Sequence, residues 1–253
     1  MDVECQAMLT RIMSGIRTAL RQFAFEGWRS DAEKGDVTAQ YIQGLLCLSG
    51  KGIPQDYAEA AKWFGLAARQ GHTEAQHQLG NLYLQGAGIP QDHAEAAKWF
   101  GLAAKKGHAT AQNQLGLLFS EGKGVPHNQA EAAKWLRRAA DKGEAMAQHN
   151  LGLLYYNGKG VPLDHMEAVK WQRKSAEQGV AQAQFQVGAF YFEGTDTPQD
   201  YVQALMWMDL SVSNATGRDQ KEYADARDAV ARLMFPEQIA EAHRLASEWK
   251  PKR

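Results

Sequence analysis

The stretch Gly71–Lys106, GHTEAQHQLGNLYLQGAGIPQDHAEAAKWFGLAAKK, decides the fold, because the chain repeats it on either side. An offset of 36 residues brings Gly35, Gly71, Gly107, Gly143 and Gly179 into register, and with them Gly44, Gly80, Gly116, Gly152 and Gly188. The same offset aligns Pro54, Pro90, Pro126, Pro162 and Pro198, and then Trp63, Trp99, Trp135, Trp171 and Trp207. A fixed period between about 20 and 50 residues marks a stacked-repeat architecture, in which each unit buries its apolar face on its neighbours.

Within a unit the residues predict two helices around a glycine-rich turn. Ala75, Leu79, Leu82 and Tyr83 recur at i, i+4, i+7 and i+8, one face of a helix. Gly86-Ala87-Gly88, followed by Pro90, closes that helix, because glycine accepts the left-handed backbone of a helix end and proline cannot continue it. Asp92 stands three residues before Glu95, which predicts a reciprocal capping box at the start of a second helix. Asp56 with Glu59, Asn128 with Glu131 and Asp164 with Glu167 repeat the pattern, and Asp200 with Gln203 is a weaker copy. The second buried stripe is Ala94, Ala97, Ala104 and the Trp99-Phe100 pair. Small residues at Ala75, Gly80 and Ala96 mark a close approach of two backbones, with the tryptophan expected as the large knob filling the space that remains. A glycine inside a helix costs roughly 1 kcal/mol against alanine, so its recurrence at Gly80 and its equivalents implies a packing return.

The pattern A-Q-x-x-L-G-x-x-Y-x-x-G-x-G-x-P-x-D-x-x-x-A-x-x-W-x-x-x-A-A-x-x-G, read in Ala75–Gly107, resembles the Sel1-like repeat, a relative of the tetratricopeptide repeat. The resemblance covers about residues 35–214. It implies an all-α, right-handed solenoid superhelix of antiparallel helix pairs, used mostly as an adaptor between proteins. Some cysteine-rich, secreted relatives carry a cysteine pair in each repeat, and β-lactam-binding or hydrolysing activity is ascribed to such relatives. This chain has only Cys5 and Cys47, too few for a repeat-by-repeat disulfide framework.

The unbroken period argues for a single repeat domain over residues 1–253. Residues 1–34 are expected to form an N-terminal capping helix or half-repeat, 35–214 five repeats, and 215–253 a C-terminal capping helical hairpin. Leu9, Ile12, Met13, Ile16, Leu20 and Phe23 mark one side of the lead-in helix, and Pro236 suits the first position of the last one. The formal net charge of −1 gives no electrostatic reason for a nucleic-acid or anionic-membrane partner, and no apolar run is long enough to span a bilayer. The start lacks the features of a signal peptide, which favours the cytoplasm, or the periplasm or outside if a leader has been removed. A monomer is expected.

Candidate chemistry is sparse. Glu74-x-x-His77 puts a carboxylate and an imidazole on one helical face, without a second such pair to complete a di-metal site. His72, His108, His93 and His165 fall at turns and helix starts, where solvated histidine is expected. Gly122-Lys123-Gly124 lacks the residues of a phosphate-binding loop. No cofactor, metal or catalytic residue is therefore assigned.

The positions that differ from unit to unit form one face of each first helix, and they supply the candidate partner-binding residues. These are Tyr41 and Leu45; His77, Gln78 and Asn81; Asn113, Gln114 and Leu117; His149, Asn150 and Leu153; and Phe185 and Gln186. If the first helices line the concave side, amides interspersed with apolar side chains suit a peptide or protein segment, whose backbone needs hydrogen bonds and whose side chains need pockets. An enzyme like the cysteine-rich relatives is the competing reading. An RNA-reading helical repeat is a third, disfavoured by the charge and by the Gly-x-Gly-x-Pro turn.

Overall fold

The computed structural model describes residues 27–51, 53–195 and 197–252, and among these every regular element is helical. Residues 27–33 are helical, followed by α1 Val37–Ser49, α2 Tyr57–Arg69, α3 Thr73–Gln85, α4 His93–Lys105, α5 Ala109–Glu121 and α6 Gln129–Asp141. Then come α7 Ala145–Asn157, α8 His165–Glu177, α9 Ala181–Glu193, α10 Tyr201–Asn214, α11 Gly217–Ala231 and α12 Pro236–Glu248. Odd-numbered helices up to α9 are the first helices of the repeats and even-numbered ones the second. The expected apolar stripe from Leu9 to Phe23 lies outside the described residues. Two compact units result: one holds the described residues as far as Ala111 with Lys123–Val125, the other Gln112–Gly122 and the residues from Pro126 on. In the first unit α1 to α4 pack each on the next, as do α6 to α10 in the second.

Capping follows the sequence in part. Asp56, Asp92, Asn128, Asp164 and Asp200 accept from the backbone N–H three residues on, at 2.9–3.0 Å, and so start every second helix. The reciprocal half of the box is not made. Glu95 and Glu167 turn their carboxylates instead to Lys98 and Lys170 at 2.8 and 2.7 Å, and accept from the indole Nε1–H of Trp99 and Trp171 at 3.0 and 2.9 Å. A buried indole has a single donor and needs a protein acceptor, whereas the N–H of the cap residue already has one: Asp92 and Asp164 N–H donate to the carbonyls of Tyr83 and Tyr155 at 3.0 and 3.1 Å. Two first helices, α3 and α5, are capped by histidines expected in solvent: the Nδ1 atoms of His72 and His108 accept from Ala75 and Ala111 N–H at 3.2 and 3.1 Å.

The recurrent helical glycine has a partner in every repeat, and it is not the tryptophan. A Cβ on Gly80 would lie 2.7 Å from the Phe100 ring, and one on Gly44 would lie 2.4 Å from Phe64. At Gly116, Gly152 and Gly188 the obstacles are Leu136, Gln172 and Met208 at 2.7, 2.9 and 2.8 Å. The knob is thus the residue after each tryptophan. Phe64, Phe100, Leu136 and Gln172 are fully buried there. The tryptophans bridge repeats instead: Trp99 clusters with Ala61, Leu79 and Leu82, and Trp171 with Ala133, Leu136 and Leu151. Trp63 is half-buried and the other four are buried.

The second glycine of the turn is needed where two repeats meet. Gly88, Gly124 and Gly160 have φ near +70°, and a Cβ on them would fall 2.1–2.4 Å from the backbone of Ala58, His93 and Gln129. Each turn therefore lies against the start of the preceding repeat's second helix, with no room for a side chain. Asp196, which stands at this position in the fifth repeat, lies outside the described residues.

A buried glutamine ties four of the first helices to the helix before them. Nε2 of Gln40, Gln76, Gln148 and Gln184 donates to the carbonyl of Ala32, Ala68, Ala140 and Ala176, at 3.0–3.2 Å. Oε1 of Gln40, Gln148 and Gln184 accepts in turn from Gln70, Gln178 and Asn214 at 2.9 Å. In the second repeat the donor position is Lys106, which bonds the Gly71 carbonyl, and Gln76 Oε1 is left buried without a partner among the described residues.

At the C-terminal end α11 and α12 both pack on α10. Leu205, Trp207 and Leu210 share a buried cluster with Val230 and Ala242, and Trp249 meets Trp207 edge-on at 6.1 Å. Pro236 is the first residue of α12, where its missing N–H costs nothing.

Candidate functional site

The varying residues of the first helices form three rows at the 36-residue spacing, and each row has a different fate. The first is Tyr41, His77, Asn113, His149 and Phe185. Tyr41 stacks on His72 with ring centroids 4.4 Å apart, and His77 stacks on His108 at 4.5 Å. In the second unit Phe185 stacks on Tyr223 at 4.5 Å, and Asn113 Oδ1 accepts from Asn150 Nδ2 at 2.9 Å. The expectation that this row stands open to solvent fails for Asn113 and His149, which are only 5% and 8% exposed. Asn113 meets Asn150 of the next repeat and His149 meets Gln172 of its own repeat's second helix, contacts that residue spacing along one helix does not reveal.

His149 has a specific structural task. Gln172 occupies the knob position over Gly152 that is apolar in the other repeats, so its amide must be satisfied inside the core. His149 Nδ1–H donates to Gln172 Oε1 at 2.8 Å, and Gln172 Nε2 donates back to the His149 carbonyl at 3.2 Å. Burial, opposed in part by Gln172, holds the His149 imidazole below its ordinary pKa and so neutral.

The second row, Gln78, Gln114, Asn150 and Gln186, is half-buried. Apart from Asn150, none of these amides has a side-chain hydrogen bond among the described residues. The third row, Leu45, Asn81, Leu117 and Leu153, is also half-buried. Leu45 packs on the core of the first unit, and Asn81 Nδ2 lies 3.4 Å from His77 Nε2.

On the second helices the solvent face is a ladder of i, i+3 pairs: Glu59 with Lys62, Glu95 with Lys98, Glu131 with Lys134 and Glu167 with Lys170, at 2.7–3.1 Å. Arg137 does not belong to it. Its guanidinium lies 5.5 Å from the Trp171 ring centroid and 5.3 Å from that of Tyr155, whose hydroxyl it also bonds.

Among the described residues, one group of titratable side chains is concentrated enough to hold a metal ion. Glu74, His77 and His108 each offer a ligand atom, and the three lie within 4.8 Å of one another. Glu74 Oε2 is 2.8 Å from His108 Nε2. Burial first, then the neighbouring His108 ring, push the His77 imidazole down to about 4 against the opposing pull of Glu74. The sequence contained the signal, a histidine 34 residues after Glu74, but only the repeat geometry brings it to the Glu74-x-x-His77 pair.

The fold and this face define a helix-pair repeat protein. The chain belongs to the Sel1 family: the Sel1 repeat matches residues 37–72, 73–108, 109–144, 145–180 and 181–214. Among solved structures it is similar to a Sel1 repeat protein from Oxalobacter formigenes, at 31% identity over 86% of each chain, with a TM-score of 0.74. It is similar too to a protective antigen of uropathogenic Escherichia coli with an SLR fold, at 32% identity, covering 89% of this chain and 56% of that one, TM-score 0.48. A third is a sel1 repeat protein from Klebsiella pneumoniae, at 22% identity over 82% of this chain and 99% of that one, TM-score 0.51. A search of curated proteins found no match. Sel1 repeat proteins are generally protein-interaction scaffolds that bind other proteins, and the fold is typically non-catalytic. Among the described residues no helix is long and apolar enough to cross a membrane.

Proposed function

We propose that the chain is a non-catalytic scaffold that binds an extended segment of a partner protein along the first helices of the repeats within one compact unit. The observation that carries this reading is the second row. Gln78, Gln114 and Gln186 recur at one position, half-exposed, with no side-chain hydrogen bond among the described residues. Partly desolvated amides without internal partners suit a peptide backbone, which offers a donor and an acceptor at every residue. Leu117 and Leu153, one turn further along their helices, add apolar contact beside Gln114 and Asn150. Asn113 and His149 act here from beneath, by holding Asn150 and Gln172 in place.

A photo-crosslinking amino acid at Gln114, compared with one at Lys134 on the charged ladder, tests the assignment in cells of the source. A partner captured from Gln114 and not from Lys134 is the expected result. Capture from Lys134 alone refutes the first-helix assignment while leaving a scaffold role intact.

A further inference from the structure

The five junctions between a first helix and the next cap can be compared directly, because the period makes them equivalent. The three positions that surround the cap are Thr38, Tyr41 and His72 at the first junction, and Glu74, His77 and His108 at the second. They are Thr110, Asn113 and Glu144 at the third, Met146, His149 and Val180 at the fourth, and Gln182, Phe185 and Thr216 at the fifth. Only the second unites three side chains that ligate metals. Stacking alone is a device of the fold, since Tyr41 lies on His72 at the same 24° interplanar angle as His77 on His108. What the second junction adds is a second imidazole and a carboxylate.

From this juxtaposition we propose that Glu74, His77 and His108 form a binding site for a divalent transition ion of the zinc class. Two imidazoles and one carboxylate make a borderline donor set that suits such ions, and three protein ligands leave a fourth coordination position open. Ligand atoms around a tetrahedral zinc ion lie roughly 3.4 Å apart, given bonds of about 2.1 Å. The widest separation allowed here, 4.8 Å, therefore has to close by about 1.4 Å. Glu74 is exposed and free to rotate towards the two rings. His77 sits one helical turn after Glu74 and is flanked by Phe100, with ring centroids 5.9 Å apart, which limits its own movement.

The apo arrangement also sets the strength of binding. His108 Nδ1 accepts from Ala111 N–H, so the proton of the neutral ring is on Nε2 and is donated to Glu74. An ion on Nε2 requires the other neutral tautomer, with the proton moved to Nδ1, and the cap hydrogen bond from Ala111 N–H is lost in exchange. Binding competes with a cap hydrogen bond and with the Glu74–His108 contact, which points to a micromolar site rather than a structural zinc site of the tightest kind.

The test uses the full chain, stripped with a chelator and titrated calorimetrically with zinc chloride, with cobalt(II) absorption as a second readout. His77→Tyr reproduces the Tyr41–His72 stack without an imidazole, and His108→Ser keeps an N-cap without one. The wild type is expected to bind one zinc ion, each variant to lose about tenfold or more in affinity, and His72→Ser to bind as the wild type. Circular dichroism establishes that each variant is folded, and His77→Tyr carries the test alone should His108→Ser unfold. A wild type that takes up no zinc, or a folded His77→Tyr that binds it unchanged, overturns the proposal.

Discussion

Gly80→Ala separates close packing from helix propensity, because the two push in opposite directions. Alanine in a helix interior is favoured over glycine by about 1 kcal/mol. At Gly80 the new methyl carbon would lie 2.7 Å from Cδ1 and Cε1 of Phe100 and 3.1 Å from Cζ. Phe100 is fully buried, so its ring cannot move aside without displacing its neighbours. Overpacking of this kind costs about 1–3 kcal/mol, which outweighs the propensity gain over most of that range. Gly101, on the neighbouring helix α4, is the internal control, since a methyl there would meet nothing within 4 Å. Gly101→Ala is expected to stabilise by up to about 1 kcal/mol and Gly80→Ala to destabilise by up to about 2 kcal/mol. Urea and thermal unfolding read both, with a change of about 2–4 °C in Tm per kcal/mol for a chain of this size. A repeat array need not unfold in one step, so the two variants are compared on the same transition. A Gly80→Ala protein as stable as Gly101→Ala would refute the argument that the recurrent glycine exists to seat the residue after the tryptophan.

Two further perturbations follow from polar groups in the core. Lys106→Gln supplies an amide donor like Gln70 and Gln178, so the buried Oε1 of Gln76 gains a partner and stability should rise by about 1 kcal/mol in urea unfolding; a loss would refute the equivalence of the three sites. His149 is held below its ordinary pKa of 6.5 in the fold, so above that value both states are neutral and its contribution is complete. As pH falls below 6.5 the unfolded chain takes up a proton that the folded chain refuses, and stability drops. The stability advantage of the wild type over His149→Gln should therefore shrink between neutral pH and about pH 5, and a difference independent of pH would show that the imidazole is not held neutral by burial.

The period, the helix pairs, the caps at Asp92 and its equivalents, and the membership of the Sel1 family were all legible in the sequence, because each rests on residues within about one repeat of one another. Proline and glycine punctuate the backbone locally, and an apolar face recurs at the helical spacing whatever it packs against. What only the tertiary structure decided are contacts between helices. Spacing places Trp99 and Phe100 side by side and cannot tell which one seats on Gly80; the helix rotation assigns that place to Phe100. Glu95 has the sequence of a capping box, but the buried indole of Trp99 claims its carboxylate. On the candidate site, variation between repeats picks out positions on the first helices, but it could not distinguish Gln114, half-exposed, from Asn113, which is buried. Adjacent residues on a helix differ by about 100° in direction, and the next repeat covers one of them and not the other. The same covering brings His108 onto Glu74 and His77 across 34 and 31 residues of chain, a proximity that belongs to the stacking of repeats and to no local pattern.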